Sequence, residues 1–115
     1  SEKYIKAGLL LSNNKNLEAK NKYEEIILSE NKFYSALSLS TILEKDLILN
    51  EEKILNYFST VESLIRSQDQ RDLLLFKKAL YLIKIKKNKE GEQLLKKLID
   101  DDSKFKSLAK EIISK

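Results

Sequence analysis

Cysteine, histidine, methionine, tryptophan and proline are all missing from this 115-residue chain, and glycine occurs only twice. Without Cys and His there are no disulfides, no thiolate or imidazole metal ligands, and no Cys or His nucleophile pairs. The commonest acid–base side chain is gone as well. Few catalytic mechanisms survive those losses, so the chain is expected not to be an enzyme and to need no cofactor. The shortage of Pro and Gly argues against a turn-rich sheet protein. The lack of any Met, including a first one, gives the expectation that Ser1 is not the native start. No apolar run approaches the roughly 18 residues that span a bilayer. The longest, Leu73 to Ile85, is interrupted by Lys77, Lys78 and Lys84. Zero Cys fits oxidising and reducing compartments equally.

What is present is 42% hydrophobic and 35% charged, dominated by Leu, Ile, Lys and Glu. These residues favour helices, and the length suits one domain. The net charge of +4 is uneven, because residues 68–115 carry 13 basic and 8 acidic groups. Both signs alternate there, which suits a solvated helical face better than nucleic-acid or lipid binding.

Apolar spacing divides the chain into about seven helices, each opened by an Asn, Ser or Asp able to accept from first-turn N–H groups. The first runs from about Glu2 to Ser12, with Tyr4, Ile5, Gly8, Leu9 and Leu11 inward. The second opens at Asn16 and carries Ala19, Tyr23, Ile26 and Ile27 on one face. Asn31 caps the third, and Asn50 opens the fourth after a short apolar loop at Leu47 to Leu49. The fifth, about Asp69 to Lys87, is apolar around most of its circumference and is expected to be central. The sixth begins at Asn88 and stops at Asp100 to Asp102. Ser103 then caps a two-faced seventh helix suited to closing a stack.

An offset of 72 residues lays the chain over itself. Lys15/Lys87, Asn16/Asn88, Glu18/Glu90, Ile27/Ile99, Lys32/Lys104, Phe33/Phe105 and Ser35/Ser107 are identical, and Ala7/Ala79, Ala19/Gly91, Tyr23/Leu95 and Ile26/Leu98 repeat in character. Two units of about 36 residues fit that offset. Small residues at Ala7 and Ala19, then large ones at Tyr23 and Ile26, resemble the tetratricopeptide-repeat pattern, as do Ala79, Gly91, Leu95 and Leu98. Asn31 and Ser103 stand where that family has a helix-breaking Pro. The middle unit, Ala36 followed by Ile54, Phe58 and Val61, departs by about six extra residues, and the family's Trp, Gly-Tyr pair and Pro are absent. The resemblance implies an all-α domain over 1–115: antiparallel helix pairs in a short right-handed superhelix, with about three divergent repeats and a C-terminal capping helix. A Lys-, Ile- and Asn-rich chain of this kind also resembles the soluble domain of bacterial membrane-tethered proteins related to the ancillary subunit of the protein-export translocon. That likeness implies a membrane anchor outside this chain and a periplasmic location, with a cytoplasmic one as the alternative. The implied role is contacting exported chains or envelope chaperones.

In such stacks the first helix of each pair lines a concave face. By alignment the resemblance places groove positions at Tyr4, Leu11, Phe33, Leu37, Thr41, Phe76, Leu80, Ile83, Lys84, Phe105 and Ile112. They are mostly apolar, so the expected partner is another protein or peptide segment, with a homodimer through the same face as the alternative; against both stands the reading of these residues as plain core. A small-molecule substrate is not expected. The run Asp100 to Asp102 lacks the alternating ligands, Gly and distant Glu of a calcium loop and reads as a helix joint. Lys77, Lys78, Lys84, Lys86, Lys87 and Lys89 lack interleaved aromatic residues for base stacking, which argues against nucleic acid. Glu24/Glu25 and Glu51/Glu52 are adjacent on helices, so each pair diverges by about 100° and does not converge on a substrate.

Overall fold

The computed structural model describes residues 1–29 and 31–115, and among them every regular element is an α-helix. In chain order these are α1 (Glu2–Ser12), α2 (Asn16–Leu28), α3 (Lys32–Glu44), α4 (Glu51–Leu64), α5 (Gln68–Lys84), α6 (Asn88–Asp100) and α7 (Lys106–Ile113). They gather into two compact units, Ser1–Leu64 and Ile65–Lys115.

In the first unit α1 packs on α2, α2 on α3, and α4 on α3 and more narrowly on α2. The core is filled by Ile27, Leu39, Ile42, Ile54, Phe58 and Val61, all almost wholly buried. Each large side chain removed from water in this way contributes about 1.5–3 kcal/mol before entropy is counted. In the second unit α6 packs between α5 and α7, around Ala79, Leu95, Leu98 and Ala109.

Small residues sit where the paired helices meet. Ala7 and Ala19 are fully buried between α1 and α2, and Ala79 and Gly91 are buried between α5 and α6. A Cβ on Gly91 would lie 2.9 Å from the carbonyl oxygen of Ala79 and 2.7 Å from Cγ1 of Ile83. Nothing larger than hydrogen fits there without movement, which is why the helices approach so closely.

Four helix ends share one C-terminal device. Asn14, Asp46, Lys86 and Asp102 follow α1, α3, α5 and α6 with φ of 61°, 51°, 70° and 53°. In each case the next residue's N–H turns back to a carbonyl in the last turn: Lys15 to Leu10, Leu47 to Ile42, Lys87 to Leu82 and Ser103 to Leu98, at 2.8–3.0 Å. This left-handed closure is normally given to Gly, with Asn and Asp as the usual substitutes. Both glycines instead lie inside helices, Gly8 in α1 and Gly91 in α6.

Side-chain N-caps are fewer than the residue pattern suggests. Ser1, Asn31, Asn50 and Ser67 accept from Tyr4, Tyr34, Lys53 and Gln70 N–H groups at 3.0–3.2 Å. Lys15 and Lys87 stand at the caps of α2 and α6 and make no such bond, and Asn16 and Asn88 are already helical. Here the left-handed closure one residue earlier sets the chain direction, so a side-chain cap is not required. The same closure stops α5 at Lys84, short of Lys87. Ser103 does not cap α7: its hydroxyl accepts from Phe105 N–H within a tight turn, and the helix starts only at Lys106. Nor is α5 buried all round, since Leu73 and Leu80 are exposed.

The 72-residue offset carries over to the backbone. Under it α2 maps onto α6 end for end, the close of α1 at Ser12 maps onto that of α5 at Lys84, and the left-handed residues Asn14 and Lys86 coincide.

Candidate interaction surfaces

The eleven aligned positions fall into two sets, one on each unit. On the first, Tyr4 reaches from α1 to both neighbours. Its ring lies 5.8 Å from that of Tyr23 in edge contact and 5.4 Å from that of Tyr34 on α3. Tyr34 in turn meets Phe33 edge-on at 5.0 Å, and Phe33 is 60% exposed. A line of four rings therefore leads from the buried Tyr23 to the surface. Leu11, Leu37 and Thr41 are half-buried; the Thr41 hydroxyl donates to the Leu37 carbonyl at 3.1 Å. Burial, then the neighbouring Tyr4, push the Tyr23 phenol up, partly offset by a hydrogen bond with Thr41.

On the second unit Phe76 of α5 stacks on Phe105 with centroids 5.3 Å apart and planes at 16°. Lys104 holds its ammonium 5.8 Å from the Phe105 centroid and 3.5 Å from Asp69. Phe76, Ile83 and Ile112 pack against the core cluster, so they belong to its rim, while Leu80 is 41% exposed and Lys84 is exposed. The surfaces thus combine rim residues that the fold needs with Phe33 and Leu80, which it leaves in water.

Tyr34 is absent from the aligned positions yet joins Tyr4 to Phe33. Its signal lay in adjacency to Phe33, which places it about 100° round α3, toward α1.

A buried ionic cluster also joins α2 to α4. Glu24 is 9% exposed, and Tyr57 donates its hydroxyl to the carboxylate. Lys53 stands 2.8 Å away and Lys20 3.7 Å. Burial alone would raise the Glu24 carboxyl. Hydrogen bonds from Lys53 and Tyr57, with the charges of Lys53 and Lys20, outweigh burial and hold it below the usual glutamate range. Burial, then the bond to this carboxylate, push the Tyr57 phenol up. An acid three residues before Ile27 on the buried stripe was the clue that Glu24 turns inward. Glu25 points outward to Lys3 and Lys22, at 3.6 and 3.8 Å, so the two carboxylates diverge.

Asp101 pairs with Lys97 of α6 and Asp102 with Lys106 at the start of α7, each four residues away. Among the described residues no group of three or more acids converges as metal ligands would, and no helix is long and apolar enough to cross a membrane. The chain matches no family model, and neither curated proteins nor solved structures offer a significant likeness.

Proposed function

We propose that this chain is a non-catalytic, tetratricopeptide-like scaffold whose antiparallel helix pairs present apolar surfaces to a segment of another polypeptide. The observation that carries this reading is the contrast between tightly closed seams and open apolar rims. Ala7, Ala19, Ala79 and Gly91 are sealed between helices, while Phe33 and Leu80 stand in water beside aromatic pairs that already fix their surroundings. Ordered apolar side chains on a rigid frame lose little entropy when a partner covers them. The resemblance to membrane-tethered export-associated proteins supports placing this work on the periplasmic side of a bacterial inner membrane, on exported or envelope proteins.

The test is peptide selection from a random library on the intact chain, followed by binding to Phe33→Asp and Leu80→Asp. Both sites are exposed, so the variants should keep their helical circular dichroism and lose the selected peptides. Enrichment of no peptide, or peptides indifferent to both changes, would refute the scaffold.

A second reading, self-association, is favoured by one feature. Ile5 and Leu9, one turn apart on α1, are 64% and 60% exposed. Sedimentation over a range of concentrations decides it, since a strict monomer rules it out.

A further inference from the structure

The first unit leaves in water a phenylalanine that the second unit keeps half-buried. Phe33 and Phe105 occupy the same repeat position, as do Tyr4 on α1 and Phe76 on α5. In the second unit the place beside Phe76 is filled by Phe105, with the two centroids 5.3 Å apart. In the first unit the place beside Tyr4 is filled by Tyr34, at 5.4 Å. Phe33 instead meets Tyr34 edge-on at 5.0 Å and is 60% exposed. In both units, then, one ring from the start of the third helix stands against the ring of the first helix, at a spacing that aromatic pairs prefer. The residue equivalent to Tyr34 is Lys106, which has no ring to offer and turns to Asp102, its ammonium 3.2 Å from the carboxylate. Asn31 fixes residue 34 in the first turn of α3 by accepting from its N–H at 3.0 Å. At α7 no side chain caps the helix, and Phe105 itself stands at the cap position.

We infer that Tyr34 is a positioning residue: by taking the place beside Tyr4 it holds Phe33 out as the ring that a partner covers, while the second unit keeps the equivalent ring stacked on Phe76. The inference rests on the scaffold reading for what Phe33 binds, a peptide that lays an aliphatic or aromatic side chain on it. The exposure of Phe33 itself follows from competition for one place. Residues 33 and 34 diverge by about 100° around α3, so their two rings do not reach Tyr4 from the same side of the helix. A phenylalanine in water forgoes the burial that fills the rest of the core, and it stays out where another ring already holds the site. With lysine at position 34, as at 106, Phe33 is the ring left to fill the gap. In the second unit Lys104, tied to Asp69 at 3.5 Å, adds a cation 5.8 Å from the Phe105 centroid and helps to keep that ring in place. Equivalent phenylalanines thus serve as an anchor in one unit and as part of the core rim in the other.

The experiment follows ring-to-ring nuclear Overhauser contacts in the isotope-labelled intact chain and, in parallel, the affinity of library-selected peptides that Phe33→Asp abolishes. Tyr34→Lys gives the first unit the residue type that the second unit carries. It should bring Phe33 against Tyr4, seen as a new contact between their rings, and weaken those peptides by about tenfold or more although Phe33 is still present. Tyr34→Phe keeps a ring in the place and should leave both readouts as in the wild type. Lys106→Tyr makes the reverse change. Its introduced ring should replace Phe105 beside Phe76, and the contact between Phe76 and Phe105 should disappear. Circular dichroism checks that each variant is folded, and the second-unit change keeps the test open should Tyr34→Lys not fold. A folded Tyr34→Lys chain in which Phe33 stays apart from Tyr4, or in which the Phe33-dependent peptides bind unchanged, would overturn the inference. So would a contact between Phe76 and Phe105 that survives Lys106→Tyr. If no selected peptide depends on Phe33, the scaffold reading fails at this surface, and the ring contacts by themselves then decide whether Tyr34 holds Phe33 out.

Discussion

Replacing Gly91 with alanine adds one methyl group where α5 and α6 are closest, and its effect can be worked out from two opposing terms. In an open helix the change gains about 1 kcal/mol, because glycine is the poorer helix former. Here the new Cβ would sit 2.7 Å from Ile83 Cγ1 and 2.9 Å from the Ala79 carbonyl oxygen. The Ile83 side chain is half-buried and can turn aside. The carbonyl is fixed in the α5 backbone, so the helices must separate. Overpacking of this kind costs about 1–3 kcal/mol, and more when backbone has to move. The net expectation is a loss of roughly 1–2 kcal/mol. Gly8 provides the internal control, since the nearest atom its Cβ would meet is the Tyr23 hydroxyl oxygen at 4.0 Å. Gly8→Ala should therefore keep its helix gain and stabilise by roughly 0.5–1 kcal/mol. Urea unfolding followed by far-ultraviolet circular dichroism should move the two midpoints in opposite directions. A Gly91→Ala protein as stable as Gly8→Ala would mean that small residues do not set the helix spacing, and the scaffold argument would lose its footing.

The other outcomes follow from local geometry. Tyr57→Phe removes the hydroxyl that donates to Glu24 and should cost about 1.5–3 kcal/mol in unfolding free energy, the range for a bond to a charged group. Because the Glu24 carboxyl is lowered in the folded state, its contribution is complete above the ordinary value near 4.5 and fades as pH falls through the folded one. Acid titration of stability should therefore show a drop below about pH 4 that Glu24→Gln flattens. Ser38 is fully buried and its hydroxyl has no hydrogen-bond partner among the described residues, so Ser38→Ala should be neutral or stabilising by about 1 kcal/mol. Ser35 donates to the Ile26 carbonyl at 3.1 Å, and Ser35→Ala should cost about 1 kcal/mol; thermal melts of the two serine variants separate them by sign. Lys86→Asn should stabilise by about 1 kcal/mol by relieving the left-handed lysine, measured by denaturant unfolding.

Helix number and most helix bounds were legible, because a residue pattern of period 3.6 depends only on local geometry. The bounds of α1, α2 and α6 follow from apolar stripes ended by Asn, Ser or Asp clusters. The errors fell where a terminus is closed by backbone and not by a side chain. Nothing in the one-dimensional pattern distinguishes an asparagine or aspartate that caps the next helix from one that closes the last, so the run Asp100 to Asp102 reads as a helix joint without revealing the left-handed turn at Asp102. Of the candidate surfaces, the repeat alignment gave Phe76 and Phe105 as positions along one line, and their stacking is seen only in the structure. The bridge through Tyr34 and the Glu24 cluster did not, since both depend on which helix lies opposite. Glu24 and Tyr57 are 33 residues apart, and no spacing rule links α2 to α4.

The repeat separates what the fold needs from what it leaves free. The positions where the paired helices meet are closed in both units: Ala7 and Ala79, Ala19 and Gly91, Tyr23 and Leu95, Ile26 and Leu98 are buried, whereas Ser35 and Glu24 are buried only in the first, their equivalents Ser107 and Lys96 being exposed. At exposed positions the chemistry diverges, with Leu17 against Lys89, Leu28 against Asp100 and Asn14 against Lys86. Burial cannot explain those differences, because each member of each pair stands in water. Leucine at 17 and 28 in the first unit and charge at 89 and 100 in the second are therefore choices that the packing of each unit leaves free. Exchanging Leu17 and Lys89 would test that division. The swapped chain should unfold at nearly the same urea concentration, since exposed changes outside special sites shift stability by less than about 0.5 kcal/mol. A loss of more than about 1 kcal/mol in the swapped chain would show that one of these exposed positions is tied to the fold after all.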